Sequence, residues 1–164
     1  MSSRIVIGVM GPGAGATESD LLLARELGRL IATEGWLVLC GGRNSGVMDA
    51  VARGAKEANG VTIGVLPSSD RQGASGSIDI VISTGMGSAR NNINVLSSSV
   101  VVSCGMGCGT ASEVALALKA EKPVVLLNAG PEAEVFFRKL DPQRVKIAKD
   151  PSEAIRIIRT LNLA

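Results

Sequence analysis

The sequence contains no histidine and no tyrosine, and its aromatic residues are Trp36, Phe136 and Phe137 alone. The first absence removes a histidine general base and every imidazole metal ligand. The three cysteines, Cys40, Cys104 and Cys108, are too few for an all-cysteine zinc site, so no metal site is expected. With so few aromatics there is no stacking platform of the kind that single-stranded nucleic-acid modules use. Seventeen basic against fifteen acidic residues leave a charge of +2 and no basic tail, so no nucleic-acid partner is expected either. No run reaches the roughly eighteen apolar residues of a membrane span. The six residues Ile5 to Met10 fall short of a signal-peptide core, and an odd cysteine count without such a signal predicts reduced thiols. The expectation is a soluble cytoplasmic protein that does not engage a membrane.

What the chain has in quantity is glycine, twenty residues of 164, and apolar side chains, 46% of the total. That is enough for one substantial core, and residues 1–164 are read as a single ligand-binding domain. Apolar runs alternate with helical patterns. Arg4 to Met10 reads as a strand broken by Gly11-Pro12-Gly13-Ala14-Gly15-Ala16-Thr17. Thr17 is placed to cap a helix whose Leu23, Leu27, Leu30 and Ile31 share one face before Gly35 stops it. Trp36 to Cys40 is a second strand, followed by the loop Gly41-Gly42-Arg43-Asn44-Ser45-Gly46. In the helix after it, Ala50, Gly54 and Ala58 predict close packing against a sheet.

Val61 to Leu66 and Ile78 to Ser83 are further strands, separated by a small-residue loop over 68–77 that is either a surface excursion or a lid carrying Arg71. Val100 to Cys104 is the most apolar run and leads through Gly105-Met106-Gly107-Cys108-Gly109 into a helix from about Thr110. Pro123 to Leu127, a helix near Glu132 to Leu140, Val145 to Ala148 and a last helix opened by Asp150-Pro151-Ser152-Glu153 complete the pattern. Such alternation predicts an α/β fold: a doubly wound, Rossmann-like, mostly parallel sheet of about seven strands with helices on both faces. Its ligand site then lies beyond the carboxyl ends of the strands, where the glycine loops gather.

Those loops supply uncovered backbone N–H groups, which suit an anion. None has the dinucleotide fingerprint, since Leu39-Cys40-Gly41 stands where an acidic residue would close the second strand, and the Walker spacing is absent. Arg90 enters the first turn of a helix, against the macrodipole, so it needs a carboxylate or a bound anion as partner. Glu113 either closes a capping box on Thr110 or faces Arg90 across the cleft; its spacing favours the box. Cys40 and Cys104 read as small buried hydrophobes, and Cys108 as the one candidate reactive thiol. Val114 to Leu118, apolar all round, predicts a homo-oligomer, dimer or tetramer.

The segments Gly41 to Ala50, Thr84 to Asn91 and Gly107 to Glu113 together resemble the Rossmann-like superfamily labelled lysine decarboxylase-like, a resemblance that spans about Arg4 to Ala129. That superfamily includes the Lonely Guy phosphoribohydrolases, which release a base from a nucleoside 5'-monophosphate, and the molybdenum cofactor carrier proteins. The chain is most similar to the carrier branch. The hydrolase pattern is Pro-Gly-Gly-x-Gly-Thr-x-x-Glu with an earlier Arg-Lys pair; here Gly105 stands at the proline, Met106 at the first glycine, Ser112 at the penultimate acid and Asn91 at the lysine.

The resemblance therefore implies a protein that binds, protects and carries molybdenum cofactor as cargo without turnover, with no catalytic residues. If it is instead a hydrolase acting on adenosine monophosphate, Arg90 and Glu113 are the catalytic pair. A nucleotide-sensing module is a third reading. No lysine stands in the glycine loops to bind pyridoxal phosphate. The ligand is a small anionic pterin or nucleotide, and molybdoenzymes or cofactor-biosynthesis proteins are the implied protein partners. The implied binding residues are Gly11 and Gly13; Gly42, Arg43, Asn44, Ser45 and Gly46; Gly85, Met86, Gly87, Arg90 and Asn91; and Gly107, Cys108, Gly109, Thr110 and Glu113.

Overall fold

A computed structural model describes residues 4–163. Its seven strands are β1 (Val6–Met10), β2 (Leu37–Cys40), β3 (Thr62–Leu66), β4 (Ile80–Ser83), β5 (Val100–Cys104), β6 (Val124–Leu127) and β7 (Val145–Ala148). Six helices alternate with them: α1 (Glu18–Thr33), α2 (Gly46–Glu57), α3 (Asn91–Leu96), α4 (Cys108–Lys119), α5 (Pro131–Leu140) and α6 (Pro151–Arg159). The strands form one sheet in the order β4-β3-β2-β1-β5-β6-β7. Every adjacent pair is parallel. The expected doubly wound α/β fold is therefore present, and its sheet is wholly parallel.

Both faces of the central strands are apolar, as a parallel sheet covered by helices requires. Ile7, Val9, Val38, Val100, Val102 and Cys104 point into a core closed by α1, α2 and α6. Met10, Leu39, Val65, Val101 and Val124 point to the other face, against Val95, Val114, Ala117 and Phe137 of α3, α4 and α5. The chain winds outward from β1 through β4, then returns to β5 on the other side of β1. That reversal leaves a crevice at the carboxyl ends of β1 and β5.

Local chemistry sets the helix ends. Thr17 caps α1: its hydroxyl accepts from Asp20 N at 3.1 Å while its own N–H donates to Asp20 Oδ2 at 2.9 Å. Gly35, at φ +74°, ends the turn that follows. Asp150 accepts from Glu153 N at 2.8 Å with Pro151 at the first helical position of α6.

The small face of α2 meets a different surface from the one expected. A Cβ added at Gly54 would overlap the Arg25 carbonyl, and one at Gly28 the Val51 carbonyl, so α1 and α2 cross backbone to backbone. The close partner of Gly54 is helix α1, because both helices lie side by side on one face of the sheet. The 68–77 loop is also tied down. Asn44 N donates to Gly73 O and Ser75 N to Gly42 O, each at 2.9 Å, and the buried Ser75 hydroxyl donates to Asp49 Oδ1 at 2.6 Å. The loop is a buttress for the 41–46 turn, and Arg71 on it is exposed.

Replacing Gly54 by Ala tests the helix crossing. Helix propensity alone favours the alanine by about 1 kcal/mol, whereas forcing a methyl into a backbone contact costs more than that gain. A net loss of about 2 kcal/mol in urea unfolding is expected, and a raised midpoint would show that the helices stand farther apart.

Candidate functional site

The carboxyl ends of β1, β2 and β5, together with the turn after β4, enclose a cleft of about 280 Å³. Its wall includes Met10 to Gly13, Gly41, Met48, Arg90, Asn91, Gly107 to Thr110 and Glu113. Nine of the residues expected from the sequence line it: Gly11, Gly13, Arg90, Asn91, Gly107, Cys108, Gly109, Thr110 and Glu113. Arg43, Asn44 and Ser45 line a neighbouring depression of about 430 Å³ with Leu66, Ser68, Gln72 and Gly73. Gly42, at φ +73°, and Gly46, at φ +55°, shape the turn between the two. Gly85, Met86 and Gly87 line neither. They form the turn, laid on Pro67 and Ser68 through Gly87 N and Gly85 N, that delivers Arg90.

The floor of the cleft is the start of α4. Gly107 is its N-cap in extended conformation, φ −153° and ψ 174°, and no side chain caps the helix. The N–H groups of Cys108, Gly109 and Thr110 therefore have no acceptor within the helix, and the positive end of the macrodipole faces the cleft. The helix begins at Cys108, which corrects the expected start near Thr110 and with it the capping box. Thr110 is already inside the first turn, so Glu113 has no cap to close. The physical reason is the flexible glycine run, which lets the backbone enter the helix two residues earlier than the Thr-x-x-Glu spacing suggests.

Glu113 turns instead to Arg90. Its Oε1 lies 3.6 Å from Arg90 Nη1 and accepts from Asn94 Nδ2 at 2.8 Å. Glu113 is 6% exposed, and the Arg90 side chain 11%. Burial pushes the Glu113 carboxyl above the ordinary carboxylate range, with Asn94 and Arg90 pulling it back. Burial likewise lowers the Arg90 guanidinium, Glu113 opposing it and the nearby Arg43 adding to it. Arg90 Nε is buried with no hydrogen-bond partner among the described residues. An Arg90 needing a partner was legible in the sequence. Asn94 was not, since a lone amide in α3 carries no motif. Gly41 belongs to the expected 41–46 loop, but it was not legible that its missing side chain makes room for the guanidinium: a Cβ there would lie 2.7 Å from Arg90 Nη1.

Gly105 stands just outside the cleft, at φ +74°. A Cβ there would come within 2.6 Å of Asp20 Oδ1. Asp20, 4% exposed, also receives Asn128 Nδ2 at 2.7 Å, so it ties α1 to the ends of β5 and β6. Proline, fixed near φ −65°, cannot adopt this backbone. Gly105→Pro is expected to cost at least about 3 kcal/mol in chemical unfolding, and a smaller loss would mean that the loop re-forms around the ring.

The thiols divide as expected by exposure. Cys40 and Cys104 are buried, their thiols pushed up to about 11 and about 12 by burial, and Cys108 is exposed. In the native protein one thiol of the three is expected to react with a thiol reagent at neutral pH, and all three after denaturation. Reaction of two or more in the folded state would contradict the burial. Among the described residues no group of histidine, cysteine, aspartate or glutamate could hold a metal ion, and no helix is long and apolar enough to cross a membrane.

Residues 4–155 match the model of the SLOG cluster4 family. The molybdenum cofactor binding protein from the phototrophic bacterium Rippkaea orientalis is 53% identical over 98% of each chain, with a TM-score of 0.96. The molybdenum cofactor carrier protein of Chlamydomonas reinhardtii is 57% identical, over 95% of this chain and 97% of that one, with a TM-score of 0.90. A cytokinin riboside 5'-monophosphate phosphoribohydrolase of Mycobacterium tuberculosis is 44% identical over only 55 residues, 33% of this chain and 29% of that protein. The chain belongs to the SLOG cluster4 family and is similar, over nearly its whole length, to molybdenum cofactor carrier proteins.

Proposed function

We propose that this protein binds and carries molybdenum cofactor without turning it over. The observation that carries the reading is the convergence, in one cleft, of the uncapped start of α4 and the buried Arg90, whose Nε has no partner among the described residues. Both are donors awaiting an oxyanion, and the cofactor's phosphate and molybdenum oxygens are such acceptors. The bare backbone at Gly11, Gly13, Gly107 and Gly109 would admit the ligand close to the N–H groups. The adjoining depression at Arg43, Asn44 and Ser45 extends the polar surface beyond the cleft's about 280 Å³, toward the size usual for ligands of this class. Residence in the cleft limits access of water and oxidants to the bound group.

The cytoplasm as its compartment, and transfer of the cofactor to or from molybdoenzymes or biosynthetic proteins, belong to the same proposal. So does a homo-oligomer. Exposed Ile80, Ile82, Met86 and Leu96 provide apolar surface for assembly, while Val114 and Ala117 of α4 are buried within the chain itself. A second reading, hydrolysis of a nucleoside 5'-monophosphate, is favoured by the preserved Arg90–Glu113 pair at 3.6 Å.

Anaerobic incubation with molybdenum cofactor followed by gel filtration is expected to leave cofactor absorbance and molybdenum on the protein. Arg90→Ala is expected to retain at least about tenfold less, the loss of a charge-assisted contact. No adenine should be released from adenosine monophosphate. Failure to retain cofactor, together with base release that disappears in Glu113→Gln, would establish the hydrolase instead.

A further inference from the structure

We infer that ligand uptake is coupled to a proton: the oxyanion enters the cleft together with one proton that resides on Glu113, so affinity rises as the pH falls. The inference rests on the anion-binding reading of the cleft and adds to it how the site's charge is regulated.

The geometry leads there in three steps. Glu113 lines the cleft, yet it is 6% exposed, and its protein partners both meet one oxygen, Oε1. Oε2 receives no hydrogen bond from any described side chain or backbone group and is not fully enclosed. It is therefore the oxygen that an incoming ligand meets. An ionised Oε2 beside a ligand oxyanion would place two negative oxygens in a site shielded from water, an arrangement in which one of the two takes a proton.

Second, the ionised pair leaves the cleft without net charge. Arg90 and Glu113 cancel, and the cation is already engaged when the ligand arrives. Protonation of Glu113 releases Arg90, with its unpartnered Nε, to the anion. Arg43, in the turn after β2, is near enough to add charge of the same sign. Cys40, beneath the pair at the end of β2, has its thiol pushed up to about 11 and stays neutral; Cys108 is the remaining titratable group of the lining.

Third, Asn94 suits either state of the carboxyl. It is fully buried, its Nδ2 donates to Oε1 at 2.8 Å, and its Oδ1 has no partner. Nδ2 donates to Oε1 equally well when the carboxyl is ionised and when it carries its proton on Oε2. Burial has already moved the Glu113 carboxyl upward in the free protein, and a second negative charge moves it in the same direction.

Molybdate is the probe, since it carries oxyanion charge and no N–H group that could satisfy Glu113 without a proton. Calorimetric titration of the protein between about pH 6 and 7.5, in two buffers of different ionisation enthalpy, is expected to show uptake of about one proton per molybdate and an affinity falling up to tenfold per pH unit. Glu113→Gln is expected to bind molybdate about tenfold more tightly at the upper pH and to lose the pH dependence. Its thermal unfolding reports whether it is folded, and the two-buffer measurement on the unmodified protein stands without the variant. Molybdate binding with no proton uptake, or an unchanged pH slope in Glu113→Gln, overturns the inference while leaving cofactor carriage intact. Absence of binding of both molybdate and cofactor overturns both.

Discussion

The junction between β1 and β5, where Ile7 to Met10 run beside Val100 to Ser103, is the constraint from which the site follows. A parallel sheet covered on both faces has no free surface for a ligand except at its strand ends. Because β2 to β4 lie on one side of β1 and β5 to β7 on the other, the connections leaving β1 and β5 diverge and cannot cover the gap. Glycine then keeps the gap open. Side chains at Gly11 or Gly41 would intrude on Val47, Met48 or the Arg90 guanidinium. The same logic of bare backbone brings α1 and α2 together at Gly28 and Gly54, which steadies the helix layer behind the cleft.

The Arg90–Glu113 pair is not placed there for stability. Unit charges about 4 Å apart attract by about 4 kcal/mol at the effective dielectric of protein sites, and removing each ion from water costs several kcal/mol. The two effects roughly offset each other. At 3.6 Å, with Nε of the arginine unpaired, the contact is also looser than a bidentate pair would be. A buried pair that yields little stability and leaves a donor unused is an arrangement suited to exchange one partner for another, and an oxyanion is the partner that Arg90 and the start of α4 can share.

Gly105 separates this chain from the hydrolase pattern in backbone geometry as well as in composition. Its positive φ is incompatible with proline, and the space a side chain would fill belongs to the carboxylate of Asp20. Asp20 in turn accepts from Thr17 N, closing the capping box of α1, and holds Asn128 at the end of β6. The entry to the loop is thus set by a network reaching from α1 to β6, far beyond the motif itself. The acid and the arginine of the pattern are kept, but the frame around them is different, in agreement with full-length similarity to cofactor carriers and only a short match to a phosphoribohydrolase.

The sequence by itself determined the strands, the helices, their parallel arrangement and the edge at which the loops gather, because apolar periodicity and glycine breaks are local signals that the fold has little freedom to override. It also identified Arg90, whose charge opposes the helix it enters. What only the tertiary structure decided was how distant residues meet. The start of α4 moved ahead of Thr110, freeing Glu113 from a cap; Gly54 found a helix instead of a sheet; the 68–77 loop became a support for the 41–46 turn; and Asn94 came to hold the acid. Each of these is a contact between segments far apart in the chain, fixed by packing and desolvation, and spacing along one segment carries no record of what will be packed against it.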